Sequence, residues 1–116
     1  MIARIWHGYT AAAEANEYEA ILKADILPGI NNVRGYRGSY ILRRASGSEI
    51  EFITVLLWES IDAVREFAGP DYERAIIPDE RRRLLSRYDS HAVHYEVCSE
   101  ATPRTAVHTN PASNAT

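Results

Sequence analysis

The chain has 116 residues, of which 46% are hydrophobic and 25% are charged, and its formal net charge is −3. A chain of this length forms one domain with a modest core, and its charge gives no general attraction to nucleic acid or to an anionic membrane. Cys98 is the single cysteine, which excludes an internal disulfide and favours a cytoplasmic setting. No apolar run approaches the length that spans a membrane.

The N-terminal part of the chain predicts a strand, a helix and a second strand. Residues 2–9 contain many β-forming residues and predict the first strand. The Ala-rich segment that follows Thr10 predicts a helix that Thr10 caps and that Pro28 and Gly29 end. The segment GYRGSYILRR, at 35–44, predicts the second strand.

A hairpin and a second helix are predicted next. The loop SGS at 46–48 separates the second strand from the apolar segment EIEFITVLLWE at 49–59, which predicts the third strand. Ser60 is expected to cap the second helix, and Gly69 followed by Pro70 is expected to end it.

The last part of the chain predicts short helices, a strand and a tail. Residues 71–86 predict one or two short helical pieces broken at Pro78, with the run at 81–83 on a solvated helix face. The segment HAVHYEV at 91–97 predicts the fourth strand. Residues 99–116 contain a single large aliphatic residue and predict a flexible tail.

The predicted order is strand-helix-strand followed by strand-helix-strand. Two right-handed βαβ halves joined by a hairpin give a ferredoxin-like α+β domain over residues 1–98, with a four-stranded antiparallel sheet and both helices on one face. The third strand is apolar on both faces, so a second copy of the sheet is expected to cover the open face. The expected assembly is a homodimeric α+β barrel whose interface buries Trp6 or Trp58.

Five segments carry a resemblance to a known family: MIARIWHG, GYRGSYILRR, EFITVLLWES, VREFAG and HYEV. Together they resemble the antibiotic biosynthesis monooxygenase-type domain of the dimeric α+β barrel superfamily, over residues 1 to about 98. The superfamily includes cofactor-free oxygenases of anthrones and quinols, haem-degrading enzymes, and members with no assigned reaction. At the positions of the haem degraders' helical Trp, ligating His and first-strand Asn, this chain has Phe67, Ile77 and His7, so the comparison speaks against haem degradation.

The resemblance implies a reaction in which the substrate itself supplies electrons to dioxygen. Such a protein needs an apolar cavity, a base and donors for an oxyanion, and it needs no metal, flavin or nicotinamide cofactor. The expected function is a cofactor-independent monooxygenase of a small aromatic, phenolic or quinol-type molecule. The alternative is a non-catalytic module of the same fold that binds a small ligand or serves in assembly.

Three residues are candidates for the chemistry. His7 is the candidate general base, and Trp58 and Tyr72 are candidate donors to an oxyanion; for each the alternative is packing alone. If Ala3, Ile5 and His7 face the helices, His7 and Trp58 line one cavity. The first and third strands are expected to be adjacent and parallel, which would place both residues near the start of the second helix.

The other aromatic and imidazole side chains suggest packing or polar surface. His91 and His94 lie three apart on the predicted strand and so point to opposite faces, which argues against a shared metal ion. His94 is expected with Glu96 on the open face of the sheet. Tyr36 and Tyr40 are expected on one face of the second strand, in an interface or a pocket wall.

Overall fold

The computed structural model describes residues 1–30, 32–101 and 103. Most of the predicted tail therefore lies outside the described residues. The elements in chain order are β1 (Ile2–Ala11), a 3-10 turn (Ala12–Glu14), α1 (Ala15–Ile30), β2 (Tyr36–Ser46), β3 (Glu49–Trp58), α2 (Ile61–Ala68), α3 (Asp79–Arg82), β4 (Leu85–Tyr88) and β5 (Val93–Glu96).

One antiparallel sheet organises the described chain. Its strand order is β2-β3-β1-β4, and β5 also pairs with β1. β4 pairs with Gly8–Thr10, and β5 pairs with Ile2–Ile5 of the same strand. The two short strands therefore follow one another along a single edge of β1. The predicted ferredoxin-like α+β class is confirmed, with the fourth strand divided in two.

The strand β4 begins inside the segment where short helices were predicted. Within 71–86 the structure contains one helix of four residues, α3, which follows Pro78 as predicted, and after a turn of two residues the strand begins at Leu85. The C-terminal half of β1 would otherwise present unpaired backbone groups at the sheet edge. Backbone pairing to Gly8 and a hydrogen bond from Ser86 Oγ to the carbonyl of Tyr9 (3.1 Å) meet that need. Long-range pairing therefore overrides the local helical pattern.

The ends of α1 differ from the prediction. Thr10 is fully buried within β1, and its hydroxyl donates to the carbonyl of Ala11 rather than capping the helix. The helix also continues through Pro28 and Gly29 to Ile30. Ile30 is buried in the core, so the last turn gains apolar burial that the local proline signal does not report.

The ends of α2 agree with the prediction. Ser60 Oγ accepts a hydrogen bond from the backbone N–H of Ala63 (3.2 Å), as an N-cap residue does. Gly69 ends the helix at φ +88°, a conformation that side-chain-bearing residues rarely adopt, and its N–H donates to the carbonyl of Arg65. No helix of the described chain is both long enough and apolar enough to cross a membrane.

The core lies between the helices and one face of the sheet. It consists of residues from α1, β3, α2 and the turn after α3: Ala15, Tyr18, Leu22, Ile26, Ile30, Phe52, Leu56, Trp58, Ala63, Val64 and Leu84. Trp58 is fully buried there, between the rings of Tyr36 and Phe67, with centroid distances of 5.5 and 4.9 Å. The ring is therefore packed on both sides, while its buried indole N–H has no hydrogen-bond partner in the described chain.

The opposite face of the sheet is open in the protomer and largely apolar. Large side chains there are more than 45% exposed, namely Tyr40, Leu42, Val93 and Tyr95. The prediction that Tyr36 and Tyr40 share a face was wrong. A bulge between Tyr36 and Gly38 changes the phase of β2, so that Tyr36 lies opposite Trp58 and Tyr40 lies opposite Val55.

Candidate functional site

A cavity of about 150 Å³ lies on the helix-covered face of the sheet. It is enclosed by β1 and β3, the inner side of α1, the end of α2, and the segment that leads to α3. The residues that line it are Arg4, Trp6, Leu22, Asp25, Ile26, Ile30, Thr54, Leu56, Phe67, Ala75, Ile76, Ile77, Pro78 and Arg81. Most of this wall is aliphatic or aromatic, as in sites that bind small organic molecules.

Trp6 supplies a large aromatic part of the wall. Its indole N–H donates to the carbonyl of Asp89 (2.6 Å). The ring lies across Gly8, where a Cβ atom would come within 2.6 Å of Trp6 Cη2. A residue without a side chain is therefore required at position 8 for the ring to occupy this place.

Arg4 is a buried cation in the cavity wall. The residue is 5% exposed, and its guanidinium donates from Nη1 to the carbonyl of Tyr72 and from Nη2 to the carbonyl of Arg74 (3.3 Å). A third contact joins Nη1 to His94 Nε2 (3.0 Å). Burial lowers the pKa of Arg4. No carboxylate of the described chain forms a salt bridge with it.

His94 lies beside Arg4 and not on the open face, so its predicted position was wrong. In the register of β5 with β1, His94 is the direct partner of Arg4. Because a guanidinium only donates, His94 Nε2 accepts and Nδ1 carries the proton, and buried Nδ1 has no partner among the described residues. Burial, followed by the charge of Arg4, lowers the pKa of His94 and favours this neutral form.

A second arginine of the wall is compensated. Arg81 is 8% exposed, so its predicted place on a solvated helix face was wrong. Its Nε donates to Asp25 Oδ2 (3.0 Å), and Nη1 donates to the hydroxyl of Tyr18 (3.3 Å). With one carboxylate and two guanidinium groups in the wall, the positive charge of Arg4 remains uncompensated.

Thr54 adds an unused polar group to the wall. The residue is 7% exposed, and its hydroxyl has no hydrogen-bond partner within the described chain. In the register of β3 with β1, Thr54 lies opposite Trp6 and diagonally from Arg4. Diagonal neighbours in a sheet are about 7–8 Å apart, and both residues line the cavity.

His7 and Trp58 do not share a cavity. The strands β1 and β3 are antiparallel, not parallel, with Trp58 opposite Ile2 and His7 opposite Ile53. Trp58 points towards the helices, whereas His7 lies on the open face. The expectation that Ala3, Ile5 and His7 face the helices was wrong because the inward phase of β1 belongs to the even-numbered residues, which include Arg4 and Trp6.

On the open face, His7 belongs to a cluster centred on Glu51. The carboxylate of Glu51 accepts from Arg44 Nε (2.7 Å), contacts His7 Nδ1 (2.8 Å) and accepts from the hydroxyl of Tyr9 (3.3 Å). These hydrogen bonds, that of Arg44 first, lower the pKa of Glu51. Each charged side chain of this cluster contacts a side chain of opposite charge or a polar group.

Tyr72 contributes its backbone to the site. Its carbonyl accepts a hydrogen bond from Arg4, while its ring packs edge-on against His94 at 5.2 Å and beneath the guanidinium of Arg65 at 5.3 Å. Tyr72 is not among the described residues that line the cavity. Catalytic roles for His7, Trp58 and Tyr72 remain predictions. They no longer have the support of a common cavity, because His7 and Trp58 lie on opposite faces of the sheet.

Sequence reasoning missed Arg4, Thr54 and Asp25. The signal in the sequence was Arg4, a charged residue that alternates along the strand with Trp6 and Thr10. The odd-numbered residues of β1 are also apolar, however, and this suggested that they face the helices. The structure describes no group of three or more His, Cys, Asp or Glu residues that could hold a metal ion.

No family model and no curated protein matches the chain. Solved structures do match. A mutant of MhuD with two manganese protoporphyrin IX molecules per active site is 20% identical, with a TM-score of 0.65, over 89% of this chain and all of that one. A proposed antibiotic biosynthesis monooxygenase from Bacillus cereus is 14% identical, with a TM-score of 0.65, over 90% of this chain and 98% of that one. The chain adopts the antibiotic biosynthesis monooxygenase-type fold.

A third similar structure is the haem degrader MhuD from Mycobacterium tuberculosis with two haems in its active site. It is 20% identical, with a TM-score of 0.58, over 88% of this chain and all of that one. At these identities the likeness establishes the fold of the antibiotic biosynthesis monooxygenase-type domain, and the reaction has to be argued from the cavity.

Proposed function

We propose that the protein is a cofactor-independent monooxygenase that oxidises a small phenolic or quinol-type substrate with dioxygen in the cavity beside Arg4. The observation that carries the proposal is an apolar, aromatic-walled cavity that also holds an uncompensated cation and a carboxylate. This combination matches what the reaction requires, namely exclusion of water, a proton acceptor and stabilisation of a substrate anion.

Asp25 is the proposed proton acceptor. It is the only carboxylate among the described residues of the wall, and its side chain is 34% exposed, so a proton can pass from the cavity to solvent. The positive charge of Arg4 favours the ionised substrate, since a cation in a poorly hydrated site lowers the free energy of a nearby anion. The anion then reduces dioxygen by four electrons: a ring carbon loses its hydrogen and gains one oxygen atom as a quinone carbonyl, and the second oxygen atom leaves as water with that hydrogen and the proton taken by Asp25. The protein supplies position and electrostatics.

Haem is a less suitable occupant of this cavity. Proteins hold haem iron through His, Cys, Met or Tyr side chains, and none of these is present among the described residues of the wall. The residues in this cavity therefore do not fit haem held through iron, and no step of the proposed reaction involves it. A haem titration with a shifted Soret band would contradict this view.

Oxygen consumption tests the proposal. Metal-free protein is mixed with a panel of quinols and phenols, and we expect uptake above the uncatalysed rate that falls about 10²-fold or more in Asp25→Asn. Arg83→Gln is the control, because Arg83 is exposed and pairs with Glu17 on the outer surface. Ligand binding without oxygen uptake across the panel would favour the alternative, a non-catalytic small-ligand-binding module.

We further propose that residues 1–98 act as the functional unit and assemble as a homodimer through the open face of the sheet. The prediction that the interface buries Trp6 or Trp58 was wrong, since both residues are buried on the helix-covered face. The surface that needs cover is formed by Tyr40, Leu42, Val93 and Tyr95. A contiguous apolar surface of this kind is typical of an interface between subunits.

A further inference from the structure

We infer that the cavity selects a single aromatic ring that carries an anionic oxygen substituent, either a carboxylate or an ionised hydroxyl, and that Arg4 and Thr54 bind this substituent. This inference rests on the proposed function, because it names the substrate class of the same site. Its basis is the juxtaposition of a buried arginine without an acidic partner and a buried hydroxyl without any partner.

The hydrogen bonds of Arg4 leave donors free. A guanidinium has five N–H groups, and the contacts to Tyr72, Arg74 and His94 use three of them. Nε–H has no partner in the described chain. Guanidinium groups bind carboxylates through two parallel N–H donors, so the remaining donors suit an anionic oxygen group.

The burial of Arg4 requires a compensating interaction. An unpaired charge removed from water remains unfavourable even after the surrounding protein relaxes. Two backbone carbonyls and a neutral imidazole solvate the guanidinium of Arg4 but do not neutralise it. Asp25 does not serve this purpose, since its carboxylate is engaged by Arg81 at 3.0 Å. A bound anion would provide the missing negative charge.

Thr54 supplies a further donor for the same anion. Thr54 lies in the cavity wall, and its buried hydroxyl has no hydrogen-bond partner in the described chain, a state that is unfavourable for a polar group. Because Thr54 is the diagonal neighbour of Arg4 across β1 and β3, both residues lie on the same face of the sheet and line the same cavity. A ligand oxygen between them would satisfy both groups.

The volume limits the ligand to about one ring. An apolar cavity of about 150 Å³ in another protein accommodates benzene, and the cavity here has about the same volume. Trp6 and Phe67 provide flat aromatic surfaces for a ring, with the anionic group at Arg4. A second fused ring would not fit within this space and would extend towards its solvent-exposed side.

Binding of benzoate and benzamide tests the inference, because the two probes have nearly the same shape and differ in charge. Isothermal titration calorimetry should show benzoate binding about 10-fold or more tighter than benzamide, the factor expected for a charge-assisted hydrogen bond. 2-Naphthoate should bind more weakly than benzoate. For an ionised hydroxyl, 4-nitrophenol should bind more tightly above its own pKa than below it. Equal affinities for benzoate and benzamide would overturn the inference.

Two variants test whether Arg4 and Thr54 cause the preference for benzoate over benzamide. Arg4→Met keeps an unbranched stem without the charge and should abolish the preference for benzoate. Thr54→Val keeps the shape without the hydroxyl and should weaken benzoate binding severalfold. Arg83→Gln is the control for loss of an exposed cation and should bind benzoate as the wild type does.

These variants keep the inference falsifiable. A folded Arg4→Met protein that still prefers benzoate would overturn it. If Arg4→Met does not fold because the carbonyls of Tyr72 and Arg74 lose their donor, unchanged benzoate affinity in Thr54→Val would overturn it instead.

The binding test is independent of turnover. If benzoate binds as expected while no quinol or phenol consumes oxygen, the proposed reaction fails and the assigned ligand class stands. If oxygen is consumed but neutral substrates are preferred and benzoate does not bind, the ligand class fails and the proposed reaction stands.

Discussion

Charged side chains on the two faces of the sheet differ in whether they have partners. On the open face, Glu51 lies among Arg44, His7 and Tyr9, and each charge has a partner. On the helix-covered face, Arg4 is buried without an acid, and the hydroxyl of Thr54 has no partner in the described chain. A satisfied cluster stabilises structure, whereas an unsatisfied one marks a place where a ligand completes the interactions. The comparison therefore supports the proposals that a ligand binds on the helix-covered face and that protomers associate through the open face.

The largest expected effect concerns the core beneath the cavity face. Trp58→Ala should lower the free energy of unfolding by about 3–5 kcal/mol, because it removes a fully buried ring that packs on Tyr36 and Phe67. Urea denaturation measures the change. Trp58→Phe is the matched control and should lose less stability while keeping turnover. A large loss of turnover in a stable Trp58→Phe protein would show that Trp58 takes part in the reaction.

The next effect tests the open face as an interface. Leu42→Glu should weaken the dimer by about 100-fold or more, because burying an unpaired charge is unfavourable by several kcal/mol. Sedimentation should then show the 13.1 kDa protomer in place of twice that mass. Ala45→Glu is the control, an exposed residue of the same strand in the opposite phase. If the wild type sediments as a protomer at high concentration, the interface does not exist.

A smaller effect is expected at the cavity wall. Gly8→Ala should destabilise the protein by about 1–3 kcal/mol, since its Cβ would clash with the ring of Trp6. It should also weaken ligand binding, because the ring must move. In a Trp6→Leu background the same substitution should be less destabilising, and a double-mutant cycle measures the difference. Equal destabilisation in both backgrounds would show that Trp6 does not cause the effect.

The Glu51 cluster predicts a modest dependence of stability on pH. Its hydrogen bonds, led by that of Arg44, lower the pKa of Glu51 in the folded state. A lowered folded pKa gives stability that is present above the unfolded pKa of about 4.3 and is lost as pH falls through the folded pKa. Thermal denaturation midpoints measured from neutral pH to pH ~3 should therefore fall less in Glu51→Gln than in the wild type. Parallel curves for the two proteins would contradict this assignment.

The smallest effect is expected at His7. Because His7 lies on the open face beside Glu51 and away from the cavity, His7→Ala should leave turnover nearly unchanged. Loss of a true general base would lower turnover by about 10²-fold or more. Turnover measured with any substrate that consumes oxygen decides the matter, and a loss of that size would place the reaction on the open face.

Prediction from sequence succeeded where the determining interactions are local. The hairpin at 46–48, the apolar third strand and the cap at Ser60 follow from residues within a few positions of one another, and the structure contains all three. The order of these elements leaves few ways to form a sheet, so the ferredoxin-like class could also be predicted.

Prediction failed where the result depended on which residues of a strand face the helices, or on which strand it pairs with. A change of one residue in phase exchanges the two faces of a strand, and both phases of β1 contain apolar residues. The site was therefore assigned to His7, whereas the inward side chains include Arg4 and Trp6. The bulge near Gly38 similarly separated Tyr36 from Tyr40.

The sequence by itself determined the order of elements from β1 to α2, the apolar character of both faces of β3, and the boundaries of α2. Only the tertiary structure decided that β1 and β3 are antiparallel, that β4 is a strand, and that Arg4, Thr54 and Asp25 line one cavity. The physical reason is that propensity and capping act over a few residues, whereas pairing and burial depend on segments far apart in the chain. The unpaired charge of Arg4 is a property of those distant contacts.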